Sequence, residues 1–209
     1  MSVAHAGGAL PLSVLLLGLT VAGTQRARVP LLQYLSVGSH RIPFESPDGS
    51  AARFRFVDQA LGLARRPSAA VDARAMSSCY RPIADPIVGP MTLLFESDEM
   101  GHPEWLTEFE LIPAGNRPDV ERGCQRINVA STAIVTDRGI RLGLTRAAVL
   151  RLLGPPERDH DGVAEFEQLS ERVVRTGGSV DRNDLFSALT VTFRDGRVVA
   201  FSGAVGDTD

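Results

Sequence analysis

Apolar and polar positions alternate most legibly between residues 139 and 202, which read as a strand opening at "GIRL", a short helix, a second strand and, after a long polar loop, a hairpin. In "GLTRAAVLRLLGPP" the spacing of Val149, Leu152 and Leu153 predicts the buried stripe of a short helix, with Arg146 and Arg151 toward solvent. Thr145 supplies an N-cap hydroxyl, Gly154 the left-handed residue after the last turn, and Pro155 with Pro156 forbids continuation. A helix of that length does not persist alone in water, so it predicts a sheet to lie on. Farther on, Leu189, Val191 and Phe193 alternate with Thr190, Thr192 and Arg194, the period of a strand with one buried face. Asp195-Gly196 carries the chemistry of a tight type I′ turn. That turn sets Phe193 against Val198, Val191 against Ala200 and Arg194 against Arg197, the last pair implying a solvated tip or an anionic partner. Between helix and hairpin lie a strand, "VAEFEQL", and a polar loop containing "RTGGSVDRND".

The preceding part, 31–125, reads as β-rich. Strand-like alternation runs over 33–44 and over 53–57, where Phe54 and Phe56 share one face and Arg53 and Arg55 the other, with the turn chemistry of "SPDGS" between. Residues 58–66 predict one or two helical turns stopped by Pro67, and 68–75 a loop. Segments 92–96 and 105–112 predict a hairpin joined by "SDEMGHP", and 116–123 is the linker candidate. The fold class is α+β: an antiparallel sheet covered by a short helix over 133–205, preceded by the β-rich part. Helix, strand and hairpin follow one another in both halves, an echo of element order without residue identity that leaves a degenerate tandem repeat open.

The C-terminal third resembles the SmpA/OmlA (BamE-like) domain, which shares its helix-on-antiparallel-sheet form with the β-lactamase inhibitory protein. The resemblance is carried by Gly143, Thr145, Val149, Leu153, Gly154, Pro156, Phe166, Phe193, Gly196 and Val198. It implies a role in outer-membrane assembly. It does not imply a lipid anchor, because the first cysteine is Cys79, and Phe166 stands where the family commonly has tryptophan or tyrosine.

Composition changes this picture little. The chain has 209 residues, 44% hydrophobic and 22% charged, with net charge −3 and no lysine. Such a balance, without a basic tract interleaved with aromatics, argues against nucleic acid as a partner. Residues 1–23 predict a signal peptide, because 9–23, "ALPLSVLLLGLTVAG", is an apolar run shorter than a bilayer span. No Lys or Arg precedes it and Arg26 and Arg28 follow, so an uncleaved anchor through 9–23 and a buried N-terminal element stay open. Export places the chain in the periplasm or outside the cell. There Cys79 and Cys124 predict a disulfide closing a loop worth roughly 4 kcal/mol, two free buried thiols being the alternative.

Candidate chemistry is sparse. Asp98, Glu99, His102 and Glu104 beside Trp105 form the richest cluster, readable as a divalent-ion site but better as a solvated hairpin tip, and His160 between Asp159 and Asp161 is a similar case. There is no G-x-S-x-G elbow, no Walker lysine and no selected acid pair. The expectation is therefore neither enzyme, metal site nor cofactor, but a binding protein of the bacterial envelope, a scaffold or assembly accessory whose partner is another envelope or periplasmic protein. An inhibitor or immunity-type protein blocking a partner enzyme is the alternative, with the tip Asp98, Glu99, His102, Glu104, Trp105 as its probe. Trp105 or Tyr80, if exposed, would be the anchor.

Overall fold

The computed structural model describes residues 30–45, 52–63, 65–67, 76–97, 104–176 and 179–208. The apolar run 9–23, the "SPDGS" turn, the 68–75 loop and Asp98, Glu99 and His102 lie outside the described residues. In chain order the elements are β1 (Tyr34–Val37), β2 (His40–Pro43), α1 (Phe54–Leu61), β3 (Arg65–Pro67), β4 (Met76–Ile83), β5 (Met91–Glu96), β6 (Glu108–Pro113) and α2 (Pro118–Glu121). They continue with β7 (Gln125–Ala130), β8 (Ile134–Thr136), α3 (Arg146–Leu153), β9 (Arg158–His160), β10 (Val163–Thr176), β11 (Ser179–Arg194) and β12 (Arg197–Thr208). This is a mixed α+β fold, mostly sheet.

One sheet runs β3-β4-β5-β6-β12-β11-β10-β9, antiparallel at every step, with β7 added parallel to β4. Its seam is β6 against β12, where Leu111 faces Phe201 and Phe109 faces Gly203, so the segments 31–125 and 133–205 share one sheet. Gly203 is required there, since a Cβ would stand 2.6 Å from the Phe109 ring and 2.7 Å from Leu32. The inner face carries the main core, including Tyr80, Phe95, Phe109, Phe201, Leu189 and Val191. The small β2-β1-β8 sheet contributes Leu35, Val37, Ile42 and Ile134 to the same core.

Around α3 the local chemistry acts as its residues dictate. The Thr145 hydroxyl accepts from the Ala148 amide, and Gly154 holds φ +87° beyond the last turn. Val149 is fully buried in the core that holds Val191 and Phe193. Leu152 is a correction: it is 50% exposed, while Leu150 and Leu153 pack against the core, because 149, 150 and 153 occupy one sector of the helix and 152 falls outside it. Asp195 and Gly196 take φ +51° and +70°, the tight turn expected, and Phe193 faces Val198. A bulge after Thr192 then shifts the register, so Val191 faces Phe201 and not Ala200.

Elsewhere the reading of the chain needs correction. Residues 54–61 are helical, not the strand expected over 53–57, and the helix stops at Gly62, before Pro67. Phe54, Val57 and Leu61 are its buried face, a helical spacing that the four-residue alternation concealed. Residues 33–44 are two strands folded at Gly38, φ +62°. The expected linker 116–123 contains α2, whose Val120 and Glu121 are buried. Residues 139–142, expected as a strand ahead of the helix, form none; where a polar loop was expected, residues up to Thr176 and from Ser179 pair in the long β10–β11 ladder, and Asp161-Gly162, φ +47° and +80°, turns β9 into β10.

The two helix corners share several backbone contacts. Arg53 bridges Trp105 as Thr145 bridges Arg197. The Phe54 amide donates to the Glu104 carbonyl at 2.9 Å and the Arg146 amide to that of Gly196 at 2.9 Å; the Leu106 amide donates to Ala52 at 2.7 Å and the Val198 amide to Leu144 at 2.9 Å. Every pair keeps one spacing, 54 to 146, 62 to 154 and 105 to 197, which is 92 positions. At that spacing Gln33 and Gln125, Val37 and Val129, Ile42 and Ile134, Val57 and Val149, Leu61 and Leu153, and Gly62 and Gly154 are identical.

Candidate functional site

Strand alternation sends Phe166, Leu189, Val191 and Phe201 inward and so sends their neighbours to the outer face of the sheet. Over the N-terminal strands this outer face is covered. Leu94 and Cys79 are fully buried there beneath Val120 of α2 and Cys124, and the Cys79–Cys124 disulfide ties the covering segment to β4 across a Cα separation of 4.7 Å.

Over β10–β12 the outer face is different. The register lines up Glu165, Thr190, Ser202 and Glu110 in one row across the sheet, and Glu167, Ala188, Ala204 and Glu108 in the next. Ala188, Thr190, Ser202 and Ala204 are half-buried, Glu167 is exposed, and Leu169 farther along the face is 60% exposed. Small side chains thus floor the middle of the face and carboxylates flank it on both sides.

Two arginines hold the flanks. Arg117, at the start of α2, donates to Glu96 at 2.7 and 3.3 Å and to Glu110 at 3.0 Å. Burial opposes its charge, but the hydrogen bonds to Glu96 and Glu110 outweigh that, and the guanidinium pKa is raised. This bond set also relieves Glu96, which faces Glu108 directly across the β5–β6 ladder. On the other flank Arg158 reaches Glu165 at 3.1 Å and Glu167 at 3.8 Å. The carboxylates are therefore positioned, not merely scattered on a solvated surface.

The cluster expected at the β5–β6 tip fares otherwise. Of it, only Glu104 and Trp105 are described, and both are tied to the α1 corner: Glu104 faces Arg53 at 3.7 Å and Trp105 bridges the same residue. That ion pair is half-exposed and contributes little. Trp105 is 37% exposed, whereas Tyr80 is fully buried with its hydroxyl donating to the Gly62 carbonyl at 2.7 Å, which removes Tyr80 as an anchor. His160 is exposed on β9. Among the described residues no three His, Cys, Asp or Glu side chains gather as a metal site would, and no helix is long and apolar enough to cross a membrane.

What the sequence withheld here was pairing, not pattern. The outward positions of β10, β11 and β12 are legible as the polar half of each alternation, but nothing in it announces that Glu110 and Glu165 bracket one floor. Such a face offers charge, hydrogen bonds and close approach to a partner surface. No family model matches the chain, and neither a curated protein nor a solved structure does.

Proposed function

We propose that the chain is an exported protein of the bacterial envelope that works by binding another protein, as a scaffold or assembly accessory and not as a catalyst. The observation that carries this reading is the outer face of β10–β12, floored by Ala188, Thr190, Ser202 and Ala204 and bracketed by arginine-held carboxylates, while the N-terminal outer face lies beneath α2. An unburdened sheet face with positioned charge is a docking surface of the kind that gives specificity and register. Export accords with the disulfide, which persists in oxidising compartments.

The resemblance to the BamE-like domain is kept as part of the proposal. The capped α3, its Gly154 stop and the Asp195-Gly196 hairpin are the features that support it. We further read the halves as degenerate copies of one unit, a helix followed by four antiparallel strands, joined at their last strands β6 and β12. The backbone bonds that the two corners share support this.

The test is substitution of the floor. Ala188→Arg with Ala204→Arg fills the face while leaving the core alone. Affinity isolation from envelope extracts should recover a partner with the natural chain that the double variant loses. Equal recovery by both, at equal folded content by circular dichroism, removes the outer face from the proposal.

A further inference from the structure

The geometry points to a second binding surface, centred on the loop from Ile83 to Pro90, for a protein segment that carries carboxylates beside an apolar side chain. Ile87 is 85% exposed and Ile83 51%, and a hollow opens on either side of the loop. One, of about 630 Å³, is lined by Arg81, Ile83 and Arg126; the other, of about 420 Å³, by Ile87, Arg141 and Arg197. In a chain of net charge −3 this is a local concentration of cations.

Among the described residues none of these arginines pairs with a carboxylate, although Glu121 lines the first hollow and Asp85 the second. Arg81 and Arg126 face each other across the β4–β7 ladder, and Arg194 and Arg197 across the tight turn, both unfavourable arrangements in isolation. Among the described residues Arg81 donates only to the Glu121 carbonyl and Arg197 only to that of Gly143, and Arg126 and Arg141 have no carboxylate partner. The nearby acids are already engaged. Glu121 accepts from the Gly115 amide at 2.8 and 2.9 Å and from Arg117, and Asp85 accepts from the Ile87 and Val88 amides.

Guanidinium groups facing in pairs match carboxylates, which they bind by forked hydrogen bonds. Exposed isoleucines between them favour an apolar side chain in the ligand. Concave hollows on two sides of a ridge suit a chain draped across the loop more than a flat lipid surface. The surface is distinct from the outer face of β10–β12, so the two readings fail separately.

The experiment pans a random peptide library on the immobilised full chain. Acidic clones bearing an apolar residue should be enriched, and their affinity should fall about tenfold with each of Arg81→Ala, Arg126→Ala, Arg141→Ala and Arg197→Ala, fall with Ile87→Ser, and fall as salt rises. Ala188→Arg with Ala204→Arg should leave that affinity unchanged. No enrichment, enrichment of neutral or basic clones, or undiminished binding by all four of these alanine variants overturns the inference. So does binding to phosphatidylserine vesicles without acidic clones, which would assign the surface to lipid. Thermal unfolding of each variant separates lost binding from lost fold.

Discussion

At the N-terminal corner α1 ends on Gly62, whose carbonyl accepts from the buried Tyr80 hydroxyl, while the Gln125 side chain donates to the Leu61 carbonyl at 3.4 Å. At the C-terminal corner α3 ends on Gly154 with the same amide bond back to the fourth residue before it, and a Cβ there would meet open space. The start of each helix differs in the opposite sense: Thr145 caps α3 with its hydroxyl, whereas Arg53 gives α1 no side-chain cap. The α1 corner is thus secured by tertiary contacts and the α3 corner by local chemistry. The consequence reaches the sheet, because the half that is packed from both sides has little outer surface to offer, and the locally held half keeps its outer face accessible.

Removing the staple should give the largest effect. Cys79→Ser with Cys124→Ser, or reduction, is expected to cost about 2–5 kcal/mol in chemical denaturation. Hydrogen exchange should rise first at 118–124 and at Leu94, the residues held beneath and beside α2. Equal acceleration along β10–β12 would mean that the two outer faces are not independently secured, and the contrast would be lost.

The paired glycines come next. Gly62 has φ +89° and ψ 161°, and Gly154 φ +87° and ψ −164°, a region that side chains scarcely enter, so alanine at either position should cost about 1–3 kcal/mol. Gly62→Ala should cost more, since its Cβ would lie 2.9 Å from the Gln125 amide nitrogen whereas Gly154 has no neighbour within 4 Å. Denaturation midpoints of the two variants order them directly. The reverse order would say that the α3 corner is the more tightly packed.

How legible this was depended on whether a signal was local. Thr145, Gly154 and Asp195-Gly196 are short-range devices, and the helix and hairpin they mark are there. The bulge after Thr192 has no such marker, so the expected partner of Val191 was displaced by one residue. At α1 the alternating Arg53, Phe54, Arg55 and Phe56 fit a strand as well as a helix, and the choice was made by burial of Phe54, Val57 and Leu61 against distant strands. Asp161-Gly162 is a local turn signal set within a polar stretch, and the length of β10 and β11 follows from their mutual ladder more than from apolar alternation. The outer face was least legible, because it is made by register between strands far apart in the chain, Glu110 with Ser202 and Thr190 with Glu165.

The caps give a smaller contrast. Thr145→Ala removes the oxygen that accepts from the Ala148 amide and should cost about 1 kcal/mol. Arg53→Ala removes no cap and only a half-exposed ion pair, so its denaturation midpoint should stay near that of the natural chain. If Arg53→Ala proved the costlier, the α1 corner would depend on its exposed charge and not on its packing.

The smallest contrast concerns acids at matching places after β2 and β8, Glu45 and Asp137. Glu45 is half-buried, whereas the Asp137 side chain is only 7% exposed, accepting from the Gln33 amide at 3.2 Å with Arg138 at 3.7 Å. Burial raises the Asp137 pKa above its ordinary 3.8, and the amide bond and Arg138 only partly offset it. Below 3.8 the carboxyl is protonated in both folded and unfolded chains, so the raised pKa costs nothing there. As pH rises through the folded value, ionisation is harder in the fold than in the open chain, and that share of stability is lost. Asp137→Asn keeps an acceptor for Gln33 without the charge, so it should match the natural chain at acid pH and gain on it as pH rises toward neutrality. Urea midpoints of both proteins across that range measure the difference; a variant that loses ground with rising pH would show that Arg138 and the amide outweigh burial.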